Sequence, residues 1–162
     1  MTDIQKDWTQ PMSNIFITLG ASNHTSKERH ENDFYATDPI AIDNLLSVFN
    51  IDKNIYEPAC GQGQLAKRLQ ELNYNVYSSD LVNRGFGTPN VDFLNLTELP
   101  NKEITTILTN PPYKYATEFV LKSLELLPTN GYCIMLLKTT FLESKKRYGE
   151  LPTHVKGDGL GF

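Results

Sequence analysis

The sequence contains little cysteine, and it has no long apolar run. Its two cysteines, Cys60 and Cys133, lie in apolar segments typical of strands, which disfavours a disulfide framework and favours a reducing cytoplasm. No segment approaches the roughly 18 apolar residues of a membrane span, and the polar N-terminus does not resemble a signal peptide. The net charge of −4 disfavours non-specific nucleic-acid binding over the whole surface but is compatible with a local basic patch.

The chain divides into three parts by composition. At 162 residues, with 40% hydrophobic residues, it has room for one soluble domain with a sizeable core. Residues 1–32 form a polar N-terminal extension that contains one short β-rich run at 15–19. Residues 33–148 carry regular hydrophobic patterns and are predicted to form the domain. Residues 149–162 are rich in glycine and are predicted to be a flexible tail outside the core.

Strand and helix patterns alternate within the domain. Strands are predicted at 54–56, 75–79, 91–93, 104–109 and 132–137. Helices are predicted at 65–72, at 116–127 and from Pro39, which takes the first helical turn after Thr37 or Asp38 as N-cap. Apolar strands that alternate with helices are typical of a parallel sheet covered on both faces. We therefore predict an α/β fold, doubly wound around a mostly parallel sheet.

A glycine turn follows the first strand of this domain. In residues 57–63 (EPACGQG), the strand ends at Glu57, and Gly61 and Gly63 leave no Cβ where a ligand could approach the backbone. The N-terminus of the next helix adds free N–H groups. An ordinary strand-to-helix turn would look similar, and a dinucleotide site is only weakly disfavoured by Ala66 in place of a third glycine.

Two acidic residues follow later strands. Asp80 ends the second strand, where a carboxylate can accept hydrogen bonds from ribose hydroxyls, although it could also be a solvated acid. Asp92 lies near the third strand and could accept from an adenine amino group. Phe93 could then pack on the adenine ring, but it could equally belong to the core.

Residues 110–113 (NPPY) can hold an amino group that belongs to a planar π system. The Asn110 side-chain oxygen and the Pro111 carbonyl can accept its two hydrogens, which draws the nitrogen towards tetrahedral geometry and frees its lone pair. Pro112 stiffens the turn, and Tyr113 offers a flat face for a base. The alternative is a loop of two prolines with a surface tyrosine.

Together these motifs resemble those of class I S-adenosylmethionine-dependent amino methyltransferases, most closely the phage and prophage DNA adenine-N6 methyltransferases. Residues 33–39 (DFYATDP) are similar to the N-terminal cofactor motif of that family, and the resemblance spans about residues 33–147. It implies a catalytic loop at Asn110, Pro111, Pro112 and Tyr113. It also implies a cofactor site made of Tyr35, Ala36, Thr37, Glu57, Pro58, Gly61, Gly63, Asp80, Asp92 and Phe93, with Asp80 at the ribose and no metal.

The resemblance implies methyl transfer from S-adenosylmethionine to the N6 atom of a flipped adenine in DNA, in the cytoplasm of a bacterial host cell. Alternatives are the same chemistry on an RNA base or a protein glutamine, or a non-catalytic module that binds the cofactor or a protein.

The family carries two further strands after the fifth, and residues 149–162 are too few to supply them with a crossover. Strand 132–137 would then be an open edge. We expect this edge to be covered by another chain, which would be a second copy in a homodimer or a different protein partner, or by residues 15–19 of the same chain.

Overall fold

The computed structural model describes the backbone of residues 15–20, 37–138 and 141, and the side chains of 37–138 and 141. Tyr35, Ala36 and the segment 149–162 lie outside the described residues. Five strands are described: β1 (Ile15–Gly20), β2 (Asn54–Glu57), β3 (Asn75–Ser78), β4 (Thr106–Thr109) and β5 (Tyr132–Leu137). The helices in the described part are α1 (Ile40–Val48), α2 (Gln64–Glu71) and α3 (Ala116–Leu126). None of the three has the length and apolar character of a bilayer-spanning helix.

The strands form one sheet in the order β1-β5-β4-β2-β3, and every pairing is parallel. The prediction of an α/β fold with a parallel sheet is therefore confirmed. The outer edge of β5 is paired with β1, in a register that runs from Ile15 opposite Tyr132 to Gly20 opposite Leu137. Of the covers expected for this edge, the structure shows the run 15–19 of the same chain, and a homodimer or another protein partner stays a prediction.

Buried side chains lie on both faces of the sheet. Along β5, Cys133, Met135 and Leu137 belong to one hydrophobic cluster, whereas Ile134 and Leu136 belong to another. This alternation follows from the two-residue period of a strand. Helix α3 contributes to the first cluster and helices α1 and α2 to the second, so helices cover both faces as predicted.

The prediction of a strand at 91–93 is wrong. A 3-10 turn spans Phe93–Asn95, and the Asp92 carboxylate accepts a hydrogen bond from the Leu94 N–H at 3.1 Å. A short acidic side chain that bonds the backbone two residues ahead competes with strand pairing. Strand β4 also begins two residues later than predicted, at Thr106.

The start of α1 is close to the predicted one. The helix begins at Ile40, after Pro39, and the Asp38 carboxylate accepts a hydrogen bond from the Ile40 N–H at 3.0 Å. Ile42 and Leu45 of its apolar stripe are buried against the sheet. The helix therefore holds Thr37, just before it, near the carboxyl ends of the central strands, where Thr37 meets Asn110.

Candidate functional site

A cavity of about 440 Å³ opens along the carboxyl edge of the sheet. Polar residues reach it from the end of each of three strands, because Glu57 ends β2, Asp80 follows β3 and Asn110 follows β4. Parallel strands place their carboxyl ends at one edge, which is where ligands bind in open α/β sheets. The size lies within the range of about 300–1,000 Å³ that is usual for small-molecule sites.

The predicted site residues do not all line this cavity. Those that do are Thr37, Glu57, Pro58, Asp80, Asp92, Phe93, Asn110 and Pro112. Gly61, Gly63, Pro111 and Tyr113 are close in sequence to lining residues but are not among them. The structure thus brings both halves of the predicted site, the acidic half and the 110–113 loop, to one cavity.

Glu57 is a buried acid with an unused oxygen. The residue is 2% exposed, and its Oε2 atom has no hydrogen-bond partner. Burial is the largest cause that raises the pKa of this carboxyl well above 4.5; a hydrogen bond from the backbone of Ala66, in the first turn of α2, opposes the rise, and the nearby Asp80 adds to it. A buried acceptor beside a cavity can receive a cationic N–H group from a ligand.

Asp80 is held in place by two backbone groups. Its Oδ2 accepts from the Gly61 N–H at 2.8 Å, and its Oδ1 accepts from the Val82 N–H at 2.9 Å. Gly61 has a φ of +57°, a conformation that glycine adopts without steric cost and that turns its N–H towards Asp80. Each carboxylate oxygen can accept a second hydrogen bond, so Asp80 can also bind a ligand hydroxyl.

Gly63 makes room for a protein side chain. Its φ is +82°, and a Cβ placed on it would come 2.5 Å from the ring of Phe86. Phe86 belongs to the loop 81–90, in which Thr88 is joined to the end of β3 by backbone hydrogen bonds with Ser78 and Asp80. Gly63 thus lets this loop close over the turn, and its predicted contact with a cofactor stays a prediction.

Asp92 and Phe93 have separate roles. Asp92 bonds the Leu94 N–H through Oδ1 and the Asn95 side chain through Oδ2, and it lies at the edge of the cavity. Phe93 is 2% exposed, and its ring packs against Tyr56 and Phe119. Phe93 is therefore mainly a core residue that also forms part of the cavity wall.

A hydrogen bond joins the loop after β4 to Thr37, which precedes α1. The Asn110 Nδ2 atom donates to Thr37 Oγ1 at 2.8 Å, so the amide is oriented with its nitrogen towards Thr37. Pro111 is buried, and Pro112 lines the cavity. The Tyr113 ring lies outside the lining and carries the Lys138 ammonium 4.6 Å from its centroid.

Several cavity residues were missed in the sequence. They are Ala59, Cys60, Gln64, Leu65, Leu81, Val82, Arg84, Val91, Leu94, Lys114, Tyr115 and Phe119. Tyr115 could have been found, because the aromatic and basic residues at 113–115 (YKY) directly follow the proline pair. Arg84 could have been found from its place between Asp80 and two glycines, Gly85 and Gly87.

The two cysteines are free and buried. Burial, with smaller effects of the neighbouring Glu57 and Asp80 carboxyls, raises the pKa of the Cys60 thiol to about 12. The thiol is therefore protonated at neutral pH and is a poor nucleophile. Within the ranges that the structure describes, no group of three or more His, Cys, Asp or Glu side chains could hold a metal ion.

No protein-family model matches the chain, and no curated protein matches it.

Proposed function

We propose that the cavity binds S-adenosylmethionine and that the protein transfers its methyl group to the N6 amino group of an adenine flipped out of DNA. The observation that carries the proposal is the meeting of Glu57, Asp80 and Asn110 at one cavity on the carboxyl edge of the sheet. The resemblance of the strand-end motifs to adenine-N6 methyltransferases supports the same reaction and a bacterial cytoplasmic setting.

The chemistry of the cavity residues fits this cofactor. The unpartnered Oε2 of Glu57 suits an ammonium group, and the carboxylate of Asp80 suits the hydroxyls of a ribose. Asp92 lines the same cavity, and in this proposal its carboxylate accepts a hydrogen bond from the adenine amino group. S-adenosylmethionine supplies, when bound, an electrophilic methyl group on a sulfonium.

The loop after β4 would hold the acceptor nitrogen. Because Asn110 Nδ2 donates to Thr37, the amide oxygen is the atom that can accept a hydrogen from the target amino group. The Pro111 carbonyl would accept the second hydrogen. With both hydrogens held, the nitrogen lone pair is less delocalised into the ring and can face the methyl donor.

A methyl-transfer assay tests the proposal. The full chain is incubated with S-adenosylmethionine labelled in the methyl group and with DNA, RNA or a glutamine-containing peptide. We expect label in N6-methyladenine of the DNA, and we expect loss of transfer in Asn110→Ala with retained cofactor binding. Asn44→Ala, an exposed asparagine on α1, is the matched control.

The other outcomes of this assay separate the alternatives. Label in RNA or in the peptide would change the substrate but keep the chemistry. Cofactor binding without transfer to any acceptor would make the chain a binding module, and absence of cofactor binding would refute the proposal.

A further inference from the structure

The loop after β3 has closely joined ends. The Asp80 N–H donates to the Thr88 carbonyl at 3.0 Å, and the Thr88 N–H donates to the Ser78 carbonyl at 2.9 Å. We call residues 81–87, the part of this loop between the joined points, the strap. Compact surface loops with adjoining ends are frequently functional, so the contacts of the strap with the rest of the protein decide what it can do.

The strap forms one wall of the cavity. Three of its residues, Leu81, Val82 and Arg84, line the cavity. Leu81 is also 61% exposed, so the strap lies between the cavity and the solvent. An outward movement of the strap would therefore open the cavity on this side.

Phe86 anchors the strap outside the cavity. Its ring lies where a Cβ of Gly63 would be. The Lys67 ammonium, which donates to the Gln62 carbonyl at 2.9 Å, lies 5.1 Å from the centroid of this ring. The Cys60 thiol donates to the Phe86 carbonyl, with 3.6 Å between sulfur and oxygen. Phe86 itself does not line the cavity, so it can hold the strap without touching a ligand.

The contacts of Phe86 are weaker than those at the ends of the strap. A thiol is a weak donor, and a lysine over an exposed ring contributes little, whereas backbone hydrogen bonds hold the ends. Gly85 and Gly87, on either side of Phe86, have φ values of +82° and +67°, and glycine changes φ at little steric cost. Hinges of moving loops are a few residues that absorb such changes. The middle of the strap can therefore swing outwards while its ends stay bonded.

We propose that the strap is a hinged cover of the cavity and that Phe86 is the positioning residue that keeps it closed. A ligand enters and leaves when the Phe86 ring moves off Gly63. The strap would cover any ligand of this cavity, so its movement can be measured with or without S-adenosylmethionine.

The two cysteines can report this movement. Cys60 is 4% exposed and contacts the strap, whereas Cys133 is 0% exposed within β5. Burial raises the pKa of both thiols to about 12, so neither forms a reactive thiolate at neutral pH while it is buried. Opening of the strap exposes Cys60 alone, whereas global unfolding exposes both thiols.

The test is labelling of the full chain with iodoacetamide, followed by mass spectrometry of the two cysteine-containing peptides. In the wild type, Cys60 should be labelled faster than Cys133. Low urea should accelerate the labelling of Cys133 and change that of Cys60 little, because opening the strap exposes much less surface than unfolding.

Variants of the anchor should accelerate the labelling of Cys60. Phe86→Ala removes a half-buried ring, so we expect a roughly 5- to 30-fold faster reaction. Phe86→Leu keeps an apolar side chain and should show a smaller increase. Lys67→Gln leaves the ring in place but removes the ammonium, and it should accelerate labelling roughly 2- to 5-fold.

Tyr74→Ala is the matched control. Tyr74 is also half-buried, and it carries the Lys53 ammonium 3.9 Å from its ring centroid, but it precedes β3 at the opposite edge of the sheet. Its ring packs against the core cluster of α1 and α2, so its loss should lower the stability of the whole domain. Tyr74→Ala should accelerate the labelling of Cys133 and leave that of Cys60 at the wild-type rate.

Release of the cofactor gives a second measurement. S-adenosylmethionine bound to the protein is displaced by an excess of unlabelled cofactor, and the dissociation rate is recorded. We expect this rate to rise in Phe86→Ala by a factor similar to that of Cys60 labelling and to stay unchanged in Tyr74→Ala.

The outcomes separate the strap from the proposed function. Equal labelling of both thiols, with equal acceleration in urea, overturns the strap, and so does an unchanged Cys60 rate in Phe86→Ala. Cofactor release at the wild-type rate in Phe86→Ala also overturns it, although the proposed function stands. Strap opening in a chain that binds no S-adenosylmethionine supports the strap and refutes the proposed function.

Discussion

The backbone N–H of Gly61 donates to Oδ2 of Asp80 at 2.8 Å and so joins the turn after β2 to the acid after β3. The same carboxylate accepts from the Val82 N–H. Asp80 therefore stabilises the loops on both sides of it before any ligand binds. Its position at the cavity is fixed by the backbone, which reduces the entropy that a ligand would lose on binding.

Asp80→Asn should weaken both cofactor binding and the fold. Hydrogen bonds to a charged group contribute about 1.5–3 kcal/mol, so we expect the dissociation constant of S-adenosylmethionine to rise roughly 10- to 150-fold. In Asp80→Asn, the side-chain NH2 group would face one of the two backbone N–H groups, so one hydrogen bond is lost and the free energy of unfolding decreases. Calorimetry and urea unfolding measure the two effects.

Asp52→Asn is the control for this variant. Asp52 is an exposed acid that accepts a side-chain hydrogen bond from Thr105, near the amino ends of the strands. Both measurements should be close to wild type in that variant. Unchanged cofactor affinity in Asp80→Asn would remove Asp80 from the site.

Gly63→Ala should destabilise the protein more than Gly85→Ala. Both glycines have a φ of +82°, but a Cβ meets Phe86 at Gly63 and nothing within 4 Å at Gly85. The shared backbone strain is about 1–2 kcal/mol, and overpacking against Phe86 adds about 1–3 kcal/mol at Gly63 alone. Urea unfolding of the two variants measures this difference.

Phe86→Ala provides the second half of this experiment. In that background the ring is absent, so Gly63→Ala and Gly85→Ala should lower the free energy of unfolding by similar amounts. A difference that persists without the ring would show that Gly63 is needed for a reason other than the closure of loop 81–90.

The fold was largely predictable because its signals are local. The apolar residues of β5 and the stripe of α1 are buried as their spacing indicates. The prediction of a strand at 91–93 was wrong because Val91 and Phe93 suggest the alternating apolar pattern of a strand. In the structure, the Phe93 ring is buried and the hydrogen bonds of Asp92 stabilise a turn instead. Local hydrophobicity does not record such side-chain competition.

The site was predictable only in part. The acids after β2 and β3 could be placed because strand ends converge at one edge. The contact of Lys138 with Tyr113 depends on the register of β4 against β5, and the contact of Phe86 with Gly63 depends on how a loop closes. Both are long-range relationships that residue spacing alone does not specify.

Thr37→Val should lower the rate of methyl transfer measured at saturating S-adenosylmethionine. Valine has nearly the shape of threonine but cannot accept the hydrogen bond from Asn110 Nδ2. One neutral hydrogen bond contributes about 0.5–1.5 kcal/mol, so we expect kcat to fall roughly 3- to 10-fold. Thr37→Ser keeps the hydroxyl and should restore the rate.

Asn110→Ala should give the largest decrease in kcat among these variants. Removal of the amide itself should lower kcat by at least about 100-fold, the size found when one hydrogen-bonding group that acts in the transition state is lost. If Thr37→Val and Thr37→Ser had the same rate, the Thr37 hydroxyl would not orient Asn110.

Glu57→Gln should change how stability depends on pH. Because burial raises the pKa of Glu57 well above 4.5, the folded state holds a proton that the unfolded state releases. The stabilising contribution of the Glu57 carboxyl to the free energy of unfolding is fully present below about pH 4.5. It is lost as the pH rises through the higher pKa of the folded state. Glutamine is neutral throughout, so the variant should lack this loss and be relatively more stable above that window.

Glu57→Gln should also weaken the binding of S-adenosylmethionine. A cationic ligand group at Oε2 favours the ionised carboxylate, so binding near or below the folded pKa should release a proton. Calorimetry in two buffers of different ionisation enthalpy measures this release, which should be present in the wild type and absent in Glu57→Gln. Equal proton release in both proteins would mean that the proton comes from another group and that Glu57 does not bind the cation.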